Sequence, residues 1–281
     1  MTVAASVIVP VRNGMPWLDD QLAAIVAQQC DAPWEVLVVD NGSTDGSAAC
    51  ARAWAGRHPA LRVVDAPEAR GAAGARNRGA TVANGAFLLF CDADDTVAPG
   101  WVDACLRALE RADVVAGTFD FGSRGDAPGA PVPAGTGQLG FLPAGLGANL
   151  AVRRSAFASV GGFCEDLAVG EDVDLCWRLQ LDGFHFAVAG DAVVTKRSRG
   201  GPWATFRRSV AYGRSDVKLF VLYRRAGMRR QLRRSLRSWA WLAVHATALV
   251  RPGPAQNDWA HAAGVRVGRL WGSLACRVFF P

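Results

Sequence analysis

The chain has 281 residues and 51% hydrophobic residues, enough for one large domain or one domain with an appendage. It contains no run of 18 or more apolar residues, so we predict no transmembrane helix, and no basic region typical of a signal peptide precedes the first apolar run. The seven cysteines are scattered and form no Cys-x-x-Cys pair. This pattern argues against a disulfide framework or a zinc site and suits a reducing cytosol.

Charge is divided unevenly along the chain. Residues 1–195 carry 13 basic and 23 acidic side chains, whereas residues 196–281 carry 18 basic and 2 acidic ones. Such an asymmetry is typical of a basic element that meets an anionic surface or polymer. We therefore expect two parts, a main domain over residues 1–195 and a basic helical extension over residues 196–281.

The first 121 residues alternate between short apolar runs and segments with helical spacing. The predicted strands are 6–11, 35–40, 61–65, 86–91 and 113–121, and the predicted helices are 19–29, 44–56, 74–84 and 99–111. Strands that alternate with helices of about 10–15 residues favour right-handed crossovers. We therefore predict an α/β fold whose mainly parallel sheet is flanked by helices.

The pattern changes after residue 121. Residues 122–147 are dominated by Gly, Pro and small residues and predict a long loop. Signals for regular structure return at Ser155. We then predict a helix over 170–182, a strand pair over 184–194, basic helices over 203–226 and 229–250, and an amphipathic segment over 259–280.

Two aspartates follow the apolar run of the fourth predicted strand. Asp92 and Asp94 are two positions apart, so in an extended chain their side chains point to the same side. They lie at the carboxyl edge of the sheet, where open α/β folds bind ligands. Hard cations such as Mg²⁺ favour carboxylates together with phosphate oxygens. The pair predicts a metal–diphosphate site, although acids after a strand also serve as solvated caps.

Three other segments offer groups that suit a ligand. Asp40 ends the second predicted strand, where it would bind a base or ribose, or belong to a turn that caps the next helix. Residues 70–79 combine glycines with arginines at a helix start, which attracts phosphate or forms a solvated turn. Glu171 and Asp172 open a helix, where acids favour the helix dipole, but a carboxylate in a cleft would also serve as a general base.

In this order, the segments resemble those of bacterial family 2 glycosyltransferases with the GT-A fold, including rhamnosyltransferases. The matching segments are residues 7–13, 38–45, 74–79, 92–94, 147–154 and 161–172, and the resemblance covers roughly residues 5–190. It implies an enzyme that transfers a sugar from a nucleotide diphosphate donor to a hydroxyl group, with inversion at the anomeric carbon.

The resemblance also implies roles for individual side chains. Those that would bind the nucleotide are Pro10, Val11, Arg12, Asn13, Asp40, Arg76 and Asp92. Asp94, together with Asp92, would hold a divalent metal, Mg²⁺ or Mn²⁺. Asp172 would be the catalytic base with Glu171 in support, and Asn149 and Trp177 would lie near the sugar or the acceptor.

This chain departs from the family pattern at several positions. Many relatives have a His after the last core strand, but residues 193–199 contain none; Lys196 or Arg197 would then neutralise the diphosphate and weaken metal dependence. Arg12 stands where an aromatic residue usually flanks the base, and Arg also stacks on bases. The Gln-x-x-Arg-Trp motif of processive synthases is absent, so we expect a non-processive enzyme.

The basic extension predicts a partner. Seven arginines lie between residues 224 and 237, beside an apolar stretch over 239–250 with two tryptophans. This pattern suits an anionic membrane surface, so we expect a cytoplasmic protein, peripheral on the cytoplasmic face of the membrane through residues 224–250. A helical appendage packed on the core, or a dimer contact, would explain the same pattern. We find no nucleic-acid-binding motif, and we expect the acceptor to be an envelope glycan or a lipid-linked molecule.

Two other functions are compatible with the pattern. A nucleotidyltransferase also uses a parallel sheet and acidic metal ligands, but it requires a Gly-rich basic signature directly after the first strand, which residues 10–14 do not supply. A non-catalytic nucleotide-sugar-binding protein of the same fold would explain the missing His.

Overall fold

In the computed structural model the described residues are 3–121, 132–133, 139–197, 200–249 and 253–281. The chain forms two compact units. The first consists of Met1–Thr136 with Pro143–Arg197, and the second of Gly137–Leu142 with Ser198–Pro281. We had predicted two parts divided after residue 195.

The first unit alternates strands and helices as the sequence predicts. Its elements are β1 Ala5–Val11, α1 Leu18–Val26, β2 Trp34–Asp40, α2 Ser47–Ala55, β3 Leu61–Asp65, α3 Gly71–Val82, β4 Phe87–Cys91, β5 Thr96–Val97, α4 Trp101–Leu109, β6 Val114–Asp120, β7 Val132–Pro133, β8 Asn149–Arg153, α5 Arg154–Ser159, α6 Glu171–Leu181 and β9 Phe186–Thr195. The nine strands among the described residues form one sheet.

The sheet has the strand order β3-β2-β1-β4-β8-β6-β9-β5, with β7 paired to β6. The strands β1 to β4 pair in parallel, as do β6 and β9. The two longest ladders are parallel, so the predicted mainly parallel sheet flanked by helices is confirmed. Because the parallel strands end at one edge, the residues that follow β1, β2 and β4 come together there.

Hydrophobic cores cover both faces of the sheet. Along β4, Leu89 and Cys91 face one core, whereas Leu88 and Phe90 face the other. The first core is closed by α1, α2 and α4, and the second by α3, α5 and α6. A strand that is buried on both faces consists almost entirely of apolar residues, which is why β1, β2 and β4 are evident in the sequence.

Several elements differ from the prediction. The predicted strand pair over 184–194 is the single strand β9, and β8 is an antiparallel strand that we did not predict. The predicted helix over 229–250 ends at Val244 and continues as a 3₁₀ helix, Ala246–Leu249; residue 250 lies outside the described residues. Of the predicted loop, residues 122–131 and 134–138 also lie outside them, and Val132–Pro133 forms β7.

The second unit is helical and basic. It contains α7 Pro202–Tyr223, a 3₁₀ helix Arg224–Ala226, α8 Leu232–Val244 and α9 Pro254–Ala275. The helices α7 and α9 approach so closely that a Cβ on Gly268 would lie 2.2 Å from the carbonyl oxygen of Val210. Only glycine allows such a close approach of two backbones. In the described part of the chain, the helices all fall short of the length or the apolar character that crossing a membrane requires.

Candidate active site

An acidic cluster lies at the end of β4. Asp92, Asp94 and Asp95 each offer one carboxylate oxygen, and these oxygens lie within 4.8 Å of one another. The Asp95 side chain is only 1% exposed, whereas that of Asp92 is 27% exposed. The cluster follows directly from the sequence, because a buried apolar strand that ends in acids delivers them to the edge of the sheet.

Lys196 lies against this cluster. Its ammonium group donates to Oδ2 of Asp95 at 2.7 Å and to Oδ2 of Asp92 at 3.4 Å. The contact results from strand register, because Thr96 of β5 pairs with Thr195 of β9 and so places the preceding Asp95 opposite the following Lys196. Burial opposes the charge of Lys196, but the neighbouring carboxylates outweigh it and raise the pKa of the ammonium group.

Arg76 connects the acidic cluster to α6. Its Nη2 donates to Oδ1 of Asp92 at 2.7 Å, and its Nη1 donates to Oε1 of Glu171 at 2.9 Å. The Arg76 and Glu171 side chains are 4% and 11% exposed, so their ion pair is buried, whereas the partner Asp92 is partly exposed. Burial by itself would raise the pKa of Asp92, but the charges of Arg76 and Lys196 prevail and lower it.

The first turn of α6 supplies two adjacent carboxylates of different character. Burial, and then the charge of Asp172, raise the pKa of Glu171 to about 7 despite the ion pair with Arg76. Asp172 is partly exposed, and its carboxylate accepts hydrogen bonds from the backbone N–H groups of Gly147 and Val173, both at 2.8 Å. The two bonds fix the orientation of Asp172 beside the buried Glu171.

The loops after β1 and β2 are joined by hydrogen bonds. Oδ1 of Asn13 accepts from the backbone N–H of Thr44 at 2.8 Å, and the backbone N–H of Asn13 donates to Oγ of Ser43 at 3.0 Å. Asp40 is 7% exposed and accepts from the N–H of Ser43 at 3.2 Å, so it has the turn-forming role that the sequence also allowed.

The predicted nucleotide-binding residues near these loops belong partly to the strands: Pro10 and Val11 end β1, Asp40 ends β2, and Arg12 and Asn13 follow β1. Pro10 is partly buried, Val11 is buried, and Arg12 is exposed. Val11 pairs with Asp40 across the parallel ladder. Because β1 lies between β2 and β4 in the sheet, Asp40 at the end of β2 and Asp92 after β4 lie at the same edge, one on each side of β1.

Asn149 and Trp177 lie in the protein interior. Asn149 is fully buried; its Oδ1 accepts from Nε1 of Trp101, and its Nδ2 donates to the carbonyl oxygens of Thr118 and Ala192, each at 2.8 Å. Trp177 is 2% exposed. A contact between Asn149 and a sugar would require one of these core hydrogen bonds to be given up.

Two residues of the site were not among the predicted site residues. Asp95 directly follows the Asp92–Asp94 pair, and an acid at this position was the sequence feature that could have placed it in the site. Gly147 lies in one of the segments that resemble the family. Its backbone N–H donates to the Asp172 carboxylate, and a Cβ at this position would lie 2.8 Å from Cζ of Arg76. Its role depends on a contact between distant parts of the chain, which spacing along the sequence does not reveal.

The acidic cluster fits a divalent cation. Three carboxylate oxygens from one short segment converge, and hard cations prefer oxygen ligands of this kind. The cluster also lies next to the buried guanidinium of Arg76, a group suited to phosphate. The arrangement can hold a metal and an anionic group side by side, and Asp172 adjoins the Glu171 that pairs with Arg76.

Known glycosyltransferases resemble this chain in sequence. The chain is 29% identical over 241 residues to the pre-mycofactocin glycosyltransferase of Mycobacterium tuberculosis, covering 77% of this chain and 47% of that protein. It thus spans about half the length of that relative. It is 27% identical over 229 residues to the glycosyltransferase AglE of Haloferax volcanii, covering 78% of this chain and 75% of AglE.

Solved structures share the fold. The mannosyltransferase PcManGT of Pyrobaculum calidifontis, in complex with GDP-Man and Mn²⁺, matches with a TM-score of 0.65 at 20% identity and covers 95% of this chain and 86% of its own. S. aureus TarS 1-349 in complex with UDP-GlcNAc matches with a TM-score of 0.56 at 17% identity. The match covers 99% of this chain and 93% of the TarS chain. These likenesses confirm the GT-A fold.

Family models match the chain directly. The model of glycosyl transferase family group 2 matches residues 87–252. The model of glycosyl transferase family 2 matches residues 6–151, which is more than half of the chain and includes β1 to β6, the acidic cluster and Arg76. The chain therefore belongs to glycosyl transferase family 2.

Proposed function

We propose that this protein is an inverting, non-processive glycosyltransferase that moves a sugar from a nucleotide diphosphate donor to a hydroxyl group of an envelope glycan or lipid-linked acceptor. The observation that carries the proposal is the double ion pair of Arg76 with Asp92 and Glu171. It brings the acidic cluster after β4 and the carboxylates of α6 into one site.

The donor would bind along the carboxyl edge of the sheet. The base and ribose would meet Asp40 at the end of β2 and the loop after β1, which contains Arg12 and Asn13. Asp92 and Asp94, with Asp95 beside them, would hold a divalent metal. When bound, such a metal stabilises the negative charge that develops on the departing diphosphate.

The acceptor would react beside α6. Asp172 is the general base that takes the proton of the acceptor hydroxyl as its oxygen attacks the anomeric carbon from the face opposite the diphosphate. The backbone N–H groups of Gly147 and Val173 hold the Asp172 carboxylate in one orientation. Glu171 positions Arg76, whose charge helps to stabilise the leaving diphosphate. A single displacement needs no second nucleophilic carboxylate.

Replacement of the base tests this mechanism. Asp172→Asn should reduce transfer by about 10²–10⁴-fold, the usual contribution of a general base, while donor binding remains within a few fold. Asp182→Asn, an exposed residue at the other end of α6, is the matched control and should leave both unchanged. Transfer by the Asp172→Asn variant at the wild-type rate would remove Asp172 from the base role.

A donor screen tests the substrate class. The relatives of known structure include complexes with GDP-Man and UDP-GlcNAc, so the screen should cover GDP-, UDP- and dTDP-sugars, with rhamnosyl donors among them, in the presence and absence of Mn²⁺ or Mg²⁺. We expect one nucleotide to bind preferentially and its sugar conjugate to be hydrolysed slowly without an acceptor. Binding without any turnover would instead favour a non-catalytic nucleotide-sugar-binding protein.

The second unit supports a membrane partner. On α8, Leu236 is 70% exposed and Val244 is 76% exposed, and Arg233, Arg234 and Arg237 are exposed on the same helix. Residues 196–281 contain only 2 acidic residues against 18 basic ones, so most of this positive charge has no carboxylate available within the segment. Exposed apolar side chains next to arginines suit an anionic lipid surface, and we propose a cytoplasmic protein that binds the membrane peripherally.

Sedimentation with vesicles tests this partner. The protein should bind vesicles containing an anionic phospholipid and not vesicles of neutral phosphatidylcholine. Arg→Gln changes at positions 233, 234 and 237 should weaken binding by about a hundredfold, at about 1 kcal/mol per arginine. The matched control changes three exposed arginines of the first unit, Arg57, Arg111 and Arg154, to Gln. Equal loss of binding in both triple variants would point to net charge alone and contradict a docking role for α8.

A further inference from the structure

Lys196 lies where a cation is expected in the acidic cluster. Its Nζ is 2.7 Å from Oδ2 of Asp95 and 3.4 Å from Oδ2 of Asp92, and both aspartates belong to the group of three that fits a divalent metal. Lys196 is one of only two lysines in the chain, the other being Lys218. An ammonium group and a divalent metal therefore require the same carboxylates.

The two contacts of Lys196 differ in how readily they can be exchanged. Asp95 is 1% exposed, and a buried carboxylate left without its partner is costly, so the 2.7 Å contact is the anchor. The 3.4 Å contact to Asp92 is longer, and Asp92 has a second cation, Arg76, at 2.7 Å. Asp92 can therefore lose the ammonium group without being left unpaired.

The backbone of Lys196 is held in the sheet, and its side chain reaches the acidic cluster from there. The N–H of Lys196 donates to the carbonyl oxygen of Asp120 at 2.7 Å, which continues the parallel ladder between β6 and β9. The side chain is 26% exposed and carries its charge on a flexible four-carbon stem. The ammonium group can move over a short distance without disturbing the strand.

We propose that Lys196 is a built-in counter-cation of the acidic cluster, which neutralises Asp92 and Asp95 in the absence of metal and gives up Asp92 when a divalent cation binds there. This inference rests on the proposed function. It implies that Lys196 weakens the affinity of the cluster for metal and, without metal, favours the binding of a nucleoside diphosphate.

Titration of Mn²⁺ alone tests the first implication. Free Mn²⁺ would be followed by electron paramagnetic resonance with the full-length wild type, Lys196→Met, Lys196→Arg and Lys218→Met. Lys196→Met should bind Mn²⁺ at least about tenfold more tightly than the wild type, because a positive charge close to the site is removed. Lys196→Arg keeps that charge, and Lys218→Met removes an exposed charge of the second unit, so both should match the wild type within about twofold.

Two outcomes of that titration would overturn the proposal. One is equal Mn²⁺ affinity in the wild type and Lys196→Met. The other is equally tight binding by Lys196→Met and Lys196→Arg, which would show that side-chain shape and not charge controls the site.

Calorimetry with UDP, GDP and dTDP in the presence of EDTA tests the second implication. Lys196→Met should bind the preferred nucleotide about tenfold more weakly than the wild type, and Lys196→Arg should restore binding. Unchanged nucleotide affinity in Lys196→Met would overturn the inference that Lys196 favours nucleotide binding in the absence of metal. If none of the three nucleotides binds any variant, with or without Mn²⁺, the proposed function fails, and the Mn²⁺ titration still decides whether Lys196 competes with metal.

Discussion

Arg76 and Glu171 are 95 positions apart in the sequence, yet Nη1 of Arg76 donates to Oε1 of Glu171 at 2.9 Å. The same guanidinium donates to Asp92 through Nη2 at 2.7 Å. A planar group with several donors can serve two carboxylates at once, whereas an ammonium group is a single point charge. One buried arginine thus connects α3, the end of β4 and the start of α6.

Loss of this arginine should destabilise the first unit. Arg76→Gln removes the positive charge that compensates the carboxylates of Asp92 and Glu171. Breaking a buried ion pair costs about 3–5 kcal/mol. Arg76→Lys should lose roughly half as much, because lysine keeps the positive charge but lacks the guanidinium fork that donates to the two carboxylates through separate nitrogens. Urea unfolding followed by tryptophan fluorescence measures both. Arg78→Gln, an exposed change two positions along α3, should stay within about 0.5 kcal/mol of the wild type, and a similar value for Arg76→Gln would contradict the bridging role.

The raised pKa of Glu171 predicts how stability depends on pH. Burial, and then the neighbouring Asp172, raise this pKa from 4.5 to about 7 in the folded protein. A group whose folded pKa exceeds its unfolded pKa stabilises the fold fully below the unfolded value, and this contribution is lost as the pH rises through the folded value. At about 1.4 kcal/mol per pKa unit, the loss would be about 3 kcal/mol.

Comparison with Glu171→Gln isolates this contribution. Between pH 4.5 and pH 8 the free energy of unfolding of the wild type should fall relative to that of Glu171→Gln, with most of the change below about pH 7. Urea unfolding at pH 4.5, 6 and 8 measures the difference. Glu110→Gln, which changes an exposed glutamate, is the matched control. A difference for Glu171→Gln that does not vary with pH would contradict the prediction.

The strands near the site could be predicted from sequence because of where they lie. Strands β1, β2 and β4 are buried on both faces, so each appears as a run of apolar residues with a polar residue directly after it. The antiparallel strand β8 was missed. It is five residues long, and it follows a segment of glycines and prolines that hides the start of regular structure.

The site could be predicted only as far as its residues lie in recognisable segments. Asp92 and Glu171, which come from two such segments, both pair with Arg76 from a third, and Asp172 adjoins Glu171 on α6. The contact of Lys196 with Asp95 depends on the register of β5 against β9, across 101 positions of the chain. Spacing along the sequence carries no information on such a register. The burial of Asn149 was equally hidden, because its three partners come from α4, β6 and β9.

Asn149 should contribute to stability more than to substrate binding. Asn149→Ala would leave Nε1 of Trp101 and two buried carbonyl oxygens without their partner, and each unsatisfied group costs about 1–3 kcal/mol. We expect a loss of at least about 3 kcal/mol in urea unfolding, with the KM for the donor within about threefold of the wild type. A large rise in that KM with unchanged stability would instead support the contact with sugar that the family resemblance implies.

Gly147 should be required for the geometry of the site. A Cβ at this position would lie 2.8 Å from both Cζ and Nη1 of Arg76, and Arg76 cannot move away without loosening its ion pairs with Asp92 and Glu171. Gly147→Ala should therefore cost about 1–3 kcal/mol of stability through overpacking. It should also lower transfer by at least about tenfold, because the N–H that orients Asp172 shifts with the loop.

A second glycine provides the control for this change. A Cβ on Gly190 would have no heavy atom within 4 Å, so Gly190→Ala should keep both stability and transfer near the wild-type values. Thermal unfolding and initial transfer rates compare the two variants. Equal stability and equal transfer rates in Gly147→Ala and Gly190→Ala would mean that the loop before β8 accommodates a Cβ without loss of stability. They would also mean that the hydrogen bond from the Gly147 N–H does not hold the Asp172 carboxylate in place.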